Sequence, residues 1–357
     1  MNNFRVVVLY PKGLQTGGPE AFHQLVSQLN KEGIAAYLVA IPETEKEKPV
    51  KQYASYNCPE IKFSAISDTD IIISPESRNY INYLLSMKSK HKFIWWVSVN
   101  YSPTFPKLQV VDSIPVLLRS NLNPLDSKGR SNILSIGMKV FKWRAKDPKK
   151  YQNKIKEHPE IVHLIQTEYS HNWVKKCFNK DGIPLIDYKN MVGIDSNTNK
   201  SQMQIAYSAT KDQGLIEKLF KTLPEFNFIG IKDMNYQQVQ EVLKESRYFL
   251  DFGPQPGNDG LPREAALNQC LLLLANRGAV ADNDTDFPIG DQSKIPYDKD
   301  ILINTTKMFK RLSHDENFYD ELFKLQEVYR NKVANEKAVF EQQVADLALY
   351  FKNISNA

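Results

Sequence analysis

Cysteine is scarce: Cys58, Cys177 and Cys270 are the three in 357 residues, odd in number and widely spaced. That spacing excludes a disulfide framework and a zinc cluster, so all three are expected to be reduced and structural. The six histidines, at 23, 91, 158, 163, 171 and 314, show no metal-like spacing either. No run approaches the roughly 18 apolar residues that a membrane span requires. The apolar part of MNNFRVVVLYPKG is too short for a signal peptide and no small-residue cleavage site follows it, so residence in the cytoplasm is expected. Charge of one sign is also modest. A net charge of +5 favours anionic substrates or surfaces but is too weak to imply nucleic acid.

What is present is a globular composition, 42% hydrophobic and 24% charged, in a chain long enough for two domains. Strand and helix patterns alternate. Phe4 to Tyr10, Ile34 to Ile41, Thr69 to Ser74, Phe93 to Val97 and Ile161 to Thr167 read as buried strands. A stretch of low periodicity near residues 182–200, rich in Gly, Pro, Asn and Asp, reads as a linker. Alternation then resumes with strands at Gln204 to Tyr207, Phe226 to Ile231, Tyr248 to Phe252 and Leu271 to Ala275. The fold class is therefore α/β, with two units of the same kind.

The most informative stretch is SRYFLDFGPQPGNDGLPREAALNQCLLLLANRG, from Ser246. A buried strand ends in a loop holding Gly253, Pro254, Pro256, Gly257 and Gly260, and Pro262 fits the first turn of a helix carrying Glu264. In an open parallel sheet such a loop lies on the ligand side, and the helix start turns free N–H groups towards a phosphate. The phrase GLPREAALNQCLLLLANRG resembles the signature of GT-B glycosyltransferases, notably retaining families related to glycogen synthase, in which a Glu, seven other residues and a second Glu open a helix. The resemblance implies two Rossmann-like domains facing across a cleft, with Glu264 on the ribose of a nucleotide-sugar. Pro256 stands where the first Glu belongs, so that carboxylate is either missing or replaced by Asp259 or Asp251. Gly257, Asp259 and Gly260 complete the donor-binding loop.

The same resemblance assigns other positions. In YSATKDQG, Lys211 matches a lysine that neutralises the departing diphosphate, Ser208 or a neighbour stands in for the family's arginine, and Arg263 could supply the second positive charge. The loop PKGLQTGG does not fit GxGxxG, which weakens a nicotinamide reading, but it resembles the first-strand loop of GT-B enzymes, placing Gly17 and Gly18 on the acceptor side. Ser98 and Asn100 end the strand FIWWV where the family carries a sugar-contacting His that this chain lacks.

Asp68-Thr69-Asp70 and the acidic run Asp282 to Asp286 invite a metal reading but read better as solvated loop charge; the run lacks the Gly and later Glu of an EF-hand, and no metal or other cofactor is expected. Lys139 to Lys156 is the one strongly basic stretch, read chiefly as a solvated surface excursion and alternatively as a peripheral contact with the inner face of the cell membrane. From Asp315 the chain is helical, with Phe318, Leu322, Leu325, Val328 and Tyr329 on one side; the resemblance implies that this helix crosses back to the N-terminal domain, and a helix-mediated dimer is the competing reading. The expected division is an acceptor-side domain at 1–185, a nucleotide-sugar domain at 186–335 and a terminal helix at 336–357. The expected activity is metal-independent, retaining transfer of a sugar from a nucleotide diphosphate donor to a glycan or lipid-linked acceptor, in lipopolysaccharide or capsule synthesis. The alternatives are a nucleotide-sugar 2-epimerase and a non-catalytic nucleotide-sugar-binding component of a larger assembly.

Overall fold

Short apolar runs buried on both faces set the architecture, because a parallel strand is covered by helices on either side and needs no polar face. A computed structural model describes residues 4–14, 16–42, 50–106, 148–190 and 200–355. Most of the charged stretch 43–51, residues 139–147 of the basic stretch and residues 191–199 of the expected linker lie outside them.

The first unit comprises β1 (Val6–Tyr10), α1 (Gly17–Lys31), β2 (Ala36–Ala40), β3 (Ile71–Pro75), α2 (Arg78–Ser86), β4 (Lys92–Trp96), α3 (Pro148–Lys156), β5 (Val162–Ile165), α4 (Glu168–Phe178) and β6 (Ile183–Pro184). Its sheet runs β2-β1-β3-β4-β5-β6, with every pairing parallel. The second comprises β7 (Ser201–Ser208), α5 (Gln213–Thr222), β8 (Asn227–Ile231), α6 (Tyr236–Glu245), β9 (Ser246–Asp251), α7 (Gly260–Leu267), β10 (Leu271–Ala275), α8 (Ala279–Asp282) and β11 (Lys294–Ile295), in the parallel order β11-β10-β9-β7-β8. Helices α9 (Ile301–His314), α10 (Glu316–Leu325) and α11 (Glu327–Ser355) follow.

Strand alternation distributes the core. In β1, Val7 and Leu9 join an apolar cluster that also holds Ala206, Phe249, Leu272 and Leu274 of the second sheet, whereas Val6 and Val8 face Phe22 and Leu25 of α1. Helix α11 serves both layers. Tyr329 and Val333 pack in the shared cluster with Phe287, while Val344, Leu347 and Phe351 enter the α1 side of the first sheet, Phe351 lying 5.3 Å from the Phe93 ring.

Several expectations need correction. The stretch read as linker begins with β6, which hydrogen-bonds β5. The C-terminal helical region breaks at Gln326, whose buried amide accepts from Leu272 N (2.9 Å) and donates to Leu272 O (2.8 Å). Leu325 and Val328, on either side of that break, are exposed, whereas Phe318 and Leu322 are buried. The acidic runs are exposed as expected at Asp68, Asp282 and Asp284, but each ends on a buried aspartate: Asp70 holds Arg5 at 2.7 and 2.9 Å, and Asp286 accepts from Glu168 N (2.9 Å) and Tyr169 N (2.8 Å), capping α4 of the first unit from the second. A carboxylate at a helix N-terminus meets unpaired N–H groups and the positive end of the dipole, so this contact joins the units favourably.

Candidate functional site

Strand order reverses at two places. β1 pairs with both β2 and β3, and β7 with both β8 and β9. The described residues leaving the carboxyl ends there are 11–14, 16 and Glu76 in the first unit, and those around Lys211 and at 252–259 in the second. Such switch points open crevices for ligands. The two units meet close by: the Asn258 N–H donates to Gln166 Oε1 (3.1 Å), and a Cβ at Gly257 would stand 2.5 Å from the Val97 carbonyl, so only glycine fits that approach without displacement.

Between them lies a charged cluster built from three separate segments. Lys189 Nζ sits 3.1 Å from Glu20 Oε2 on the first turn of α1 and 3.4 Å from Glu264 Oε1 on α7, with all three side chains at most 15% exposed. Burial opposes the ammonium, but Glu20 and Glu264 outweigh it and its pKa is raised. Burial also raises the Glu264 pKa, with Lys189 acting against it. The Glu264 carboxylate is oriented from behind: Gln240 Nε2 donates to Oε2 (3.3 Å), and Asn268 Nδ2 donates to Gln240 Oε1 (2.7 Å). Gly260, the first residue of α7, lets Lys189 pass, since a Cβ there would stand 2.8 Å from Lys189 Cε. The sequence gives little notice of Lys189, which falls in the stretch read as linker. Glu20, in a helix's first turn after a glycine pair, carries the same kind of signal as Glu264.

A second cluster holds Lys211. Its ammonium contacts Asp251 Oδ2 (3.2 Å), Gln255 Oε1 (3.4 Å) and the Asp259 carboxylate. Burial works against the charge and the two aspartates outweigh it, so its pKa is raised. Asp251 is fully buried and accepts from Gly253 N (2.7 Å), and the stem of Lys211 lies where a Cβ on Gly253 would be. Asp259 also caps α7, accepting from Gly260 N at 3.0 Å. Lys211 is therefore already ion-paired, and a phosphate would have to displace Asp259 to reach it.

Three expected positions differ. Arg263 faces no open space: 1% exposed, it donates to Asp187 Oδ2 (2.8 Å) and Glu336 Oε2 (2.9 Å), bolting α7 to the segment after β6 and to α11. Its charge is spent on buried carboxylates whose own desolvation it offsets. Helix α7 starts at Gly260, so Glu264 lies in the second turn instead of the first and Pro262 is the third residue. Ser208, the last residue of β7, is 2% exposed, with Oγ 3.5 Å from Thr210 Oγ1.

On the opposite side, Gly17 opens α1 4.0 Å (from an ideal Cβ) from Lys189 Nζ, and Gly18 has nothing within that radius, so packing requires neither glycine. Ser98 is half-buried beside the Gly257 contact, and Asn100 Oδ1 accepts from Tyr169 OH at 2.7 Å. The tryptophans beside them belong to the core: Trp95 Nε1 donates to Leu185 O and Trp96 Nε1 to His163 Nδ1. Glu76, absent from the expected set, is 2% exposed and accepts from Val97 N at 3.3 Å, bracing the loop that meets Gly257. Among the described residues, no three His, Cys, Asp or Glu side chains are grouped to hold a metal ion.

No protein family and no curated protein matches the chain. Solved structures do. WaaG, a glycosyltransferase involved in lipopolysaccharide biosynthesis, superposes with a TM-score of 0.53 at 11% identity, over 96% of this chain and 99% of that one. T4 phage BGT with its UDP-glucose substrate gives 0.46 at 13% identity (96% and 99%), and UDP-GlcNAc 2-epimerase from Neisseria meningitidis 0.48 at 12% (96% and 100%). The WaaG superposition and the two parallel sheets show the fold: two Rossmann-like α/β domains in the GT-B arrangement.

Proposed function

We propose that this chain is a glycosyltransferase that moves a sugar from a nucleotide diphosphate donor to a glycan or lipid-linked acceptor, with retention and without a metal ion. The observation that carries the reading is the placement of Glu264, on a helix that opens at the second sheet's switch point and faces Glu20 of the opposite unit across Lys189 of the connecting segment. A carboxylate held from behind by Gln240 can accept both hydroxyls of a ribose. The start of α7, Gly257 and Gly260 receive the diphosphate, and Lys211 exchanges Asp259 for phosphate oxygen as negative charge grows on the leaving group. Arg263 acts on this site as scaffold only. The acceptor approaches from Gly17, Gly18, Ser98 and Asn100.

The likeness to WaaG supports a place in lipopolysaccharide or capsule assembly. With that place goes work in the cytoplasm, at the inner face of the membrane, through the basic stretch whose described part, α3, exposes Lys149, Lys150 and Lys156. No helix among the described residues is long and apolar enough to cross a membrane. We divide the domains at 1–185 and 186–335, with 336–357 as the returning end of α11.

The test is thermal unfolding against a panel of nucleoside diphosphates, then incubation of nucleotide-sugars with and without acceptor glycans. A ligand at about 100 times its Kd adds roughly 2.7 kcal/mol of stability. Sugar transfer supports the reading, epimerised donor without acceptor replaces it with the epimerase, and nucleotide binding with no turnover on any acceptor replaces it with a binding component.

A further inference from the structure

On the flank of α1 lies a hollow of about 550 Å³. That lies within the ~300–1,000 Å³ typical of small-molecule sites. Three segments build it: α1 with Ser27 and Gln28, the turn at Ser55, Tyr56 and Asn57, and the chain at Tyr188 and Asn190. We propose that it binds an uncharged oligosaccharide.

The wall chemistry selects that class. Among the described residues no carboxylate lines the hollow, and Lys31 is the one formally charged residue there. The remaining polar groups are amides and hydroxyls, which combine donors with acceptors as a sugar hydroxyl does. The half-buried Tyr56 adds an aromatic ring suited to the C–H side of a pyranose, and Pro59 extends the apolar part. An anion would find a single cation among the described lining residues.

The frame is also fixed. The Tyr56 hydroxyl donates to Glu20 Oε1 (3.2 Å) and accepts from Gln24 Nε2 (3.4 Å) and Asn190 Nδ2 (2.9 Å), which fills its hydrogen-bonding capacity. The buried Gln24 amide donates to Tyr188 O (2.9 Å) and accepts from Tyr188 N (3.3 Å). The Tyr56 wall and the backbone at Tyr188 are thus set before a ligand arrives, which lowers the ordering cost of binding. Tyr188 and Asn190 face the hollow while Lys189 between them reaches Glu20 and Glu264. A saccharide here contacts both neighbours of the lysine that bridges the two domains.

The test needs no donor and no turnover, so it fails independently of the transfer reading. Maltotriose, cellotriose, chitotriose and mannotriose, with trigalacturonate as the anionic counterpart, are titrated by calorimetry and by saturation-transfer NMR. At least one neutral trisaccharide is expected to bind saturably and to outcompete trigalacturonate. Ser55→Trp, at an exposed position, fills the hollow and is expected to weaken that binding at least about tenfold, or roughly 1.4 kcal/mol, with unchanged circular dichroism. Asn190→Ala, which trims an exposed side chain, is expected to weaken it in the same direction and carries the test should the tryptophan disturb folding. Absence of neutral binding, preference for trigalacturonate, or affinity indifferent to both substitutions would overturn the proposal.

Discussion

Glu76 offers the sharpest quantitative test of how the cleft is built. It follows β3 directly, is 2% exposed, and its carboxyl accepts from the Val97 backbone. Burial raises its pKa to about 7 against the opposing pull of the backbone N–H groups around it. Between the ordinary 4.5 and about 7, the folded chain holds a proton that the unfolded chain has released. Stability contributed by the neutral form is complete below 4.5, declines as pH rises through this window and is gone above 7. At 1.36 kcal/mol per pH unit, the whole decline is worth about 3 kcal/mol. Glu76→Gln keeps a carbonyl oxygen for Val97 N and cannot ionise. The variant is expected to match the parent chain at pH 4.5 and to exceed it at pH 8 by up to about 3 kcal/mol, read as the difference between urea transitions. A variant less stable at pH 8, or a difference that does not change with pH, would refute a neutral buried Glu76.

Glu264→Gln should weaken nucleoside diphosphate binding by about 1.5–3 kcal/mol by calorimetry, the scale of a hydrogen bond to a charged group, with the fold intact; unchanged affinity would reduce Glu264 to a partner for Lys189. Lys211→Ala should lower kcat about 10²–10³-fold and depress stability by up to about 3–5 kcal/mol, because Asp251 loses its cation in a fully buried place. Lys211→Arg should recover the stability, and comparing kcat of the two variants at matched folded fraction separates charge neutralisation from scaffolding. Gly257→Ala should hold the domains apart at the Val97 carbonyl, raising donor KM with little change in melting temperature; equal kinetics would mean that the approach is dispensable. Transfer activity should survive EDTA, and complete loss restored by Mg²⁺ or Mn²⁺ would contradict a metal-independent site.

Local order was legible because strands such as β1, β3, β4 and β10 are largely apolar runs with covered faces, and the loop after β9 announces itself through Gly and Pro. The Ser246–Asp251 strand, the glycine loop and the helix bearing Glu264 follow from residues near one another along the chain, as does the alternation that yields two sheets. What the tertiary structure decided is which charges meet. Lys189 joins Glu20 from 169 residues away, and Arg263 is withdrawn from the cleft by Asp187 and Glu336, 76 and 73 residues distant. Asp286 reads as loop charge until the start of α4, 117 and 118 residues away, is brought against it. Periodicity and capping act over a turn or a strand, so they reveal elements. The pairing of buried charges depends on how elements from distant parts of the chain are packed, and that packing leaves no spacing in the sequence to read.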